Sequence, residues 1–211
     1  MNIALIGATG NIGRHIAHEA LRRGHAVTAL VRRTQPLPPE LDGAKIVVAT
    51  LDDAAALAAA VRGHDVLASA YGPSAAAADT IPAVAQTLID VARDAGVQRL
   101  LVVGGAGSLE VAPGVQLVDT PNFPDAYKPY ALAHRASLQH LQAAADLDWT
   151  FFAPAAEIGP GAARGGARTQ ATALLSDAQG HSAISYADYA SAFVDEIERP
   201  QYLRQIATAA Y

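Results

Sequence analysis

The chain contains no cysteine, which excludes disulfides, thiolate nucleophiles and cysteine-based metal sites. Basic charge is also scarce: 15 Lys and Arg stand against 20 Asp and Glu, for a net charge of −5. A protein that binds phosphate backbones usually shows a basic patch or stripe, so nucleic acid is not an expected partner. No apolar run approaches the roughly 20 residues that span a bilayer, and no membrane partner is expected. The apolar start lacks the basic flank of a signal peptide and runs straight into glycine. These absences point to a soluble cytoplasmic protein. The histidines show no ligand-like spacing, so no metal is expected.

What the chain does hold is 211 residues with 51% apolar content, enough for one α/β domain with a sizeable core. Short apolar runs at Asn2–Ile6, Ala26–Val31, Lys45–Ala49, Val66–Ala70, Arg99–Val103 and Trp149–Ala153 predict strands buried on both faces. Helical patterns lie between them. Ile81, Val84, Ala85, Leu88, Ile89 and Ala92 follow i, i+3, i+4 spacing, and Gly96 closes that helix. Ser185 and Asp188 resemble a capping box ahead of a second helix, which Pro200 follows. The alternation predicts a Rossmann-like doubly wound parallel sheet. Residues 1–211 form a single domain in this reading, with 154–211 as a small C-terminal extension on the substrate side. Its last segment, Arg204–Tyr211, is expected as an edge strand, and "QPLPPE" as a loop after the second strand.

Gly7, Gly10 and Gly13 fit G-x-x-G-x-x-G directly after a strand and at the start of a helix. The first glycine allows the sharp turn, the second lets a pyrophosphate approach the backbone, and the third lets helix pack on strand. The helix from about Asn11 then points its N–H groups at the phosphates. An NAD site carries an acid about 20 residues beyond the glycines to read the ribose hydroxyls. "TALVRRT" offers Arg32 and Arg33 instead, and a guanidinium pairs bidentately with a 2′-phosphate. NADP(H) is therefore expected over NAD(H), with Arg32 the main contact and Arg33 or Thr34 assisting.

"GATGNIG", "LVRR", "HDVLASAYGP" and "LLVVGGAGSL" together resemble the atypical short-chain dehydrogenase/reductases. Within them the chain is similar to the NmrA-like NAD(P)H-binding proteins and to the flavin reductase/biliverdin-IXβ reductase group, a resemblance that extends through "DLDWTFFAPA" to "ISYADYASAFVDEIE". It implies that Gly7, Thr9, Gly10, Asn11 and Ile12 hold the pyrophosphate and Arg32 the 2′-phosphate. Thr50 and Leu51 would lie by the adenine, where relatives commonly carry Asp in place of Thr50. Ala70, Tyr71 and Gly72 would line the nicotinamide ribose, Gly104 and Gly105 would lie beneath the nicotinamide, and Pro154 and Ala155 would close over its carboxamide.

Typical short-chain dehydrogenases use Tyr-x-x-x-Lys, the lysine lowering the tyrosine pKa for proton transfer. In "AYKPYALAHRASLQHL" that pair is missing, because Lys128 adjoins Tyr127 and points elsewhere on a helix. Tyr130 and His134 share i, i+4 spacing, and a protonated imidazole could replace the lysine cation if the helix begins near Pro129. Ser108 is the other candidate for orienting a substrate. Leu109–Ala126 and Gly159–Gly166, rich in Gly and Pro, are expected as flexible loops framing the pocket. Reduction of an electron-poor ring needs only hydride delivery, with the proton drawn from solvent. The first expectation is thus an NADPH-dependent reductase of a flavin, quinone or similar planar acceptor, with flavin as substrate and no prosthetic group. A non-catalytic NAD(P)(H)-sensing regulator is the alternative, and a dehydrogenase using Tyr130 and His134 a third. A monomer or homodimer fits all of them.

Overall fold

Continuous apolar residues form strand β1 (Asn2–Ile6), and the chain turns at Gly7 into helix α1 (Asn11–Arg22), which buries Ile16, Ala17 and Ala20. β2 (Ala26–Val31), β3 (Lys45–Val48), α2 (Ala54–Val61), β4 (Val66–Ser69), α3 (Ile81–Ala95) and β5 (Arg99–Val103) follow. A hairpin of β6 (Glu110–Ala112) and β7 (Val115–Gln116) precedes α4 (Lys128–Ala143) and β8 (Asp148–Pro154). The chain closes through β9 (Glu157–Gly159), β10 (Arg168–Ala171), β11 (Ala183–Ser185), α5 (Tyr186–Glu198) and β12 (Gln205–Ala210). This computed structural model describes every residue except Gln35, so the first residue of the expected "QPLPPE" loop lies outside the described residues.

Eight strands make one sheet in the order β10-β12-β8-β5-β4-β1-β2-β3, parallel throughout except for β10 against β12. The doubly wound α/β reading is what the sheet displays. Helices α1 and α5 cover one face, where Ile16, Ala17, Phe193 and Val194 share a core with Ile3 and Leu5. Helices α2, α3 and α4 cover the other, joining Leu57, Leu88 and Leu138 to Ala4, Leu100 and Phe151. Gly96 ends α3 with φ of 70°, and Ser185 Oγ caps α5 by accepting from the Asp188 N–H at 3.0 Å. No helix among the described residues is long and apolar enough to cross a membrane.

Three expectations need correction. β3 is a sheet edge, with Lys45 and Val48 exposed, because no strand covers its outer side. The final strand is internal: β12 pairs with β8 on one side and β10 on the other, and its alanines Ala207, Ala209 and Ala210 are small enough to be covered on both faces. The edge belongs to β10, formed when the chain leaving the glycine-rich stretch returns antiparallel. The segment 109–126 is also more regular than a flexible loop. Leu109 and Val118 are buried, and the hairpin is tied to the C-terminal region through Glu110 N–H to Thr172 O at 2.9 Å and Leu174 N–H to Glu110 O at 2.8 Å.

One buried ion pair joins β5, β8, α5 and the approach to β12. Arg99 Nη2 lies 2.8 Å from Glu196 Oε1, while Arg99 Nη1 donates to Asp148 O at 2.8 Å and Thr150 Oγ1 at 2.7 Å. Glu196 also accepts the Gln201 N–H at 2.9 Å and the Tyr202 N–H at 3.1 Å. The residues are 8% and 3% exposed, and burial holds the guanidinium below the usual arginine range, opposed by the Glu196 charge. Glu196→Ala leaves a buried cation and two backbone donors unpaired, so we expect a loss of about 3–5 kcal/mol in urea-induced unfolding. Arg99→Met with Glu196→Leu in the same chain should recover part of that loss; a double variant as unstable as Glu196→Ala would refute this account.

Candidate functional site

β1 leads through α1 to β2 on one side of the sheet, whereas β3 leads through α2 to β4 on the other. Between β1 and β4 the winding reverses, and a crevice opens there at the carboxyl ends of the strands. Gly7 leaves β1 with φ of 76°, and the Gly10 N–H donates back to Gly7 O at 3.0 Å. A Cβ on Gly7 would collide with the Ala70 carbonyl, and one on Gly13 with the Gly7 carbonyl. Gly10 caps α1 without a side-chain hydrogen bond, and no acid stands in the first turn. By contrast, Asp53 caps α2 and Ser185 caps α5 through their side chains. The open N–H groups at Asn11, Ile12 and Gly13 and the positive end of the helix dipole fit an anionic diphosphate. The bare backbone around Thr9 and Gly10 fits its close approach.

The remaining cofactor candidates ring this crevice at carboxyl ends of strands. Arg32 and Arg33 follow β2 and are exposed, and Thr50 and Leu51 follow β3. Ala70, Tyr71 and Gly72 follow β4, where the Tyr71 hydroxyl lies 2.9 Å from Thr80 Oγ1. Gly104 and Gly105 follow β5, Pro154 is the last residue of β8, and Ala155 is buried beyond it.

The proton-transfer candidates sit on and near α4. The helix begins at Lys128, placing Pro129 and Tyr130 in its first turn and leaving Tyr127 66% exposed. The Tyr130 and His134 rings lie 6.1 Å apart, and His134 meets the Phe151 ring edge-on at 6.0 Å. The His134 ring packs on the Gly105 backbone, where a Cβ would come within 2.9 Å of it. Its Nδ1 is sealed from solvent with no partner among the described residues. Burial pushes this imidazole down to about 4, so at neutral pH it is uncharged. The expectation of a cationic His134 standing in for lysine is thereby corrected. The Tyr130 hydroxyl is pushed up, first by burial and then by facing Tyr71, opposite to what a lysine neighbour would do. Ser108 closes a short turn after β5, 2% exposed, with Oγ unpartnered.

Two ion pairs carry no signal in the sequence. Arg135 on α4 reaches Asp119 at 2.7 Å, and Arg14 on α1 stands 3.6 Å from Glu40. Both partners lie in connecting segments, where no periodicity announces a contact. A scan for tyrosine–lysine spacing also passes over Arg135.

The His134 environment has a pH signature. Between the usual value of 6.5 and about 4, the unfolded chain binds a proton that the folded chain does not, so this residue's contribution to stability falls as pH drops through that interval. His134→Gln should show a smaller loss of urea stability between pH 7 and pH 5 than the parent, and an unchanged loss would disprove the assignment.

Comparison with known proteins agrees with this geometry. A family model described as NAD(P)H-binding matches residues 7–200. YwnB, an uncharacterised protein of Bacillus subtilis, is 37% identical over 205 residues, covering 96% of this chain and 94% of its own. A solved Burkholderia pseudomallei structure, provisionally named as an exported protein, is 57% identical with a TM-score of 0.93, covering 100% of both chains. A Streptococcus pneumoniae structure provisionally named an NADH-flavin reductase is 33% identical with a TM-score of 0.88, covering 100% of this chain and 99% of its own. The isoflavone reductase homolog of Zea mays shares 33% identity over 103 residues, 44% of this chain and 31% of its own. Because the family match spans the glycine turn, the sheet and α5 together, the chain belongs to the NAD(P)H-binding family.

Proposed function

We propose that the protein is an NADPH-dependent reductase that delivers hydride to a flavin, quinone or similar planar acceptor. The observation that carries this reading is the neutrality of the reaction end of the crevice. His134 is uncharged, the Tyr130 hydroxyl holds its proton more tightly than usual, and neither has a lysine beside it. Such a site lacks a strong proton donor for an alcohol or carbonyl reaction, but it suits an acceptor whose ring is already electron-poor and whose last proton comes from water.

Bound NADPH supplies the hydride. The chain's own part is positional. The open amino end of α1 and the glycine turn hold the diphosphate, and Arg32, with Arg33, holds the 2′-phosphate. Thr50 and Leu51 take the adenine, and Ala70, Tyr71 and Gly72 take the ribose beside the nicotinamide. Gly104, Gly105, Pro154 and Ala155 support and cover the nicotinamide itself. Ser108 Oγ, buried without a partner, would hydrogen-bond a carbonyl or ring nitrogen of the acceptor, and the His134 ring, backed by the buried Phe151, would offer it an apolar surface. A cytoplasmic location fits a cysteine-free chain that draws on reduced pyridine nucleotide, and a monomer or homodimer is the expected state.

NADPH oxidation followed with FMN, riboflavin and menadione tests the activity. Turnover with at least one acceptor is expected. Tight cofactor binding without any turnover would instead mark a non-catalytic sensor. The cofactor preference has its own check. Arg32→Ser removes charge-assisted bonds to the 2′-phosphate and should weaken NADPH binding by roughly 10- to 100-fold, leaving NADH affinity nearly unchanged. Equal loss for both cofactors in calorimetry would defeat that assignment.

A further inference from the structure

The loose pair between Arg14 and Glu40 has no role in the reading above. Arg14 stands in the first turns of α1, its N–H bonded to Gly10 O at 3.0 Å. Its side chain leans toward Glu40 in the short helical turn Pro39–Leu41, which follows β2 in the chain. Leu41, next to Glu40, buries against α1 in the shared core, and Gly43 lies near Leu21 at the far end of the helix. Glu40 is therefore held beside the upper part of α1, on the flank facing β2.

The pair is poorly made. Arg14 Nε and Glu40 Oε1 are 3.6 Å apart, too far for a hydrogen bond. Arg14 Nε and Glu40 Oε2 are both shielded from water, and neither has a hydrogen-bond partner among the described residues. A buried donor and a buried acceptor left unmade in this way each carry a desolvation penalty. The side chains as wholes are 35% and 28% exposed, so each can turn toward solvent without disturbing the core.

Resting on the NADPH reading, we propose that Arg14 is a third arginine of the 2′-phosphate site and that Glu40 is the counterion it exchanges for that phosphate. In the free protein Glu40 keeps Arg14 near the crevice without saturating its donors. A phosphate offers the guanidinium shorter, charge-assisted bonds in a matching geometry, and the released carboxylate regains water. NADH brings no such group, so with NADH the Arg14–Glu40 pair stays as it is. Glu40 thereby becomes a specificity-determining residue: its charge opposes the phosphate and sets how strongly NADPH is preferred.

The test is cofactor affinity by calorimetry on the whole protein, with adenosine 2′,5′-bisphosphate and adenosine 5′-monophosphate as probes lacking nicotinamide. Arg14→Gln should weaken NADPH and the bisphosphate by roughly tenfold and leave NADH and the monophosphate unchanged. Glu40→Gln should tighten NADPH and the bisphosphate several-fold, again without tightening NADH. If the two variants keep the parent's ratio of NADPH to NADH affinity, or shift both cofactors together, the pair is purely structural and the inference fails. That failure is separable from failure of the underlying reading, in which the parent itself would prefer NADH or bind the bisphosphate no better than the monophosphate. Glu40→Gln guards against ambiguity should Arg14→Gln fold poorly, because it is expected to gain affinity.

Discussion

The crevice exists because the backbone at Gly7 and Gly13 is closer to its neighbours than any β-carbon permits. Gly7 is wedged against the carbonyl of Ala70 at the end of β4, and Gly13 against the carbonyl of Gly7 itself. These two contacts draw the start of α1 down onto the junction between β1 and β4. That junction is where the winding reverses, so helix and crevice are fixed by one constraint. Because Gly10 caps the helix without a side chain, the amino end of α1 stays open toward the crevice rather than being satisfied from within.

A network of ion pairs ties the opposite ends of the same helices together. Arg23, just past α1, meets Glu19 at 2.8 Å, Asp195 at 2.7 Å and Glu198 at 2.9 Å, and His25 reaches Glu198 at 2.8 Å. The carboxyl ends of α1 and α5 are thus bolted together far from the glycine turn. Arg23 carries this junction, whereas its neighbour Arg22 pairs with Glu19 inside α1. Among the described residues, the amino end of α1 carries only the loose ion pair at Arg14.

The sequence revealed most where a rule is local. Strand positions, the glycine turn, the Gly96 stop and the Ser185 cap each follow from a few adjacent residues, and the sheet bears them out. Long-range placement was harder. The alanines of β12 read as a plausible edge strand, because nothing in Gln205–Ala210 tells that β10 will return to cover it. Glu110 gives no sign that it bonds to Thr172 and Leu174. The state of His134 is hidden for a similar reason: i, i+4 spacing places it beside Tyr130, but its charge is decided by burial against Phe151 of β8 and the Gly105 backbone after β5.

Charge is distributed along the crevice in a way that separates binding from chemistry. In the proposed reading the adenosine end would draw on Arg14, Arg32 and Arg33 beside a helix amino terminus, whereas the far end holds an uncharged imidazole, a tightly protonated phenol and a serine. A cation buried beside the reacting ring would stabilise an oxyanion, as a carbonyl reduction requires. It would bring no comparable benefit to a ring that spreads its added charge over several heteroatoms. Keeping His134 neutral also keeps the floor apolar, so a flat, weakly hydrated ring can settle on it by losing little bound water. In the proposed reading, the same burial that removes the lysine-like cation from His134 would also create the apolar surface a planar acceptor needs, so the two are inseparable at that position.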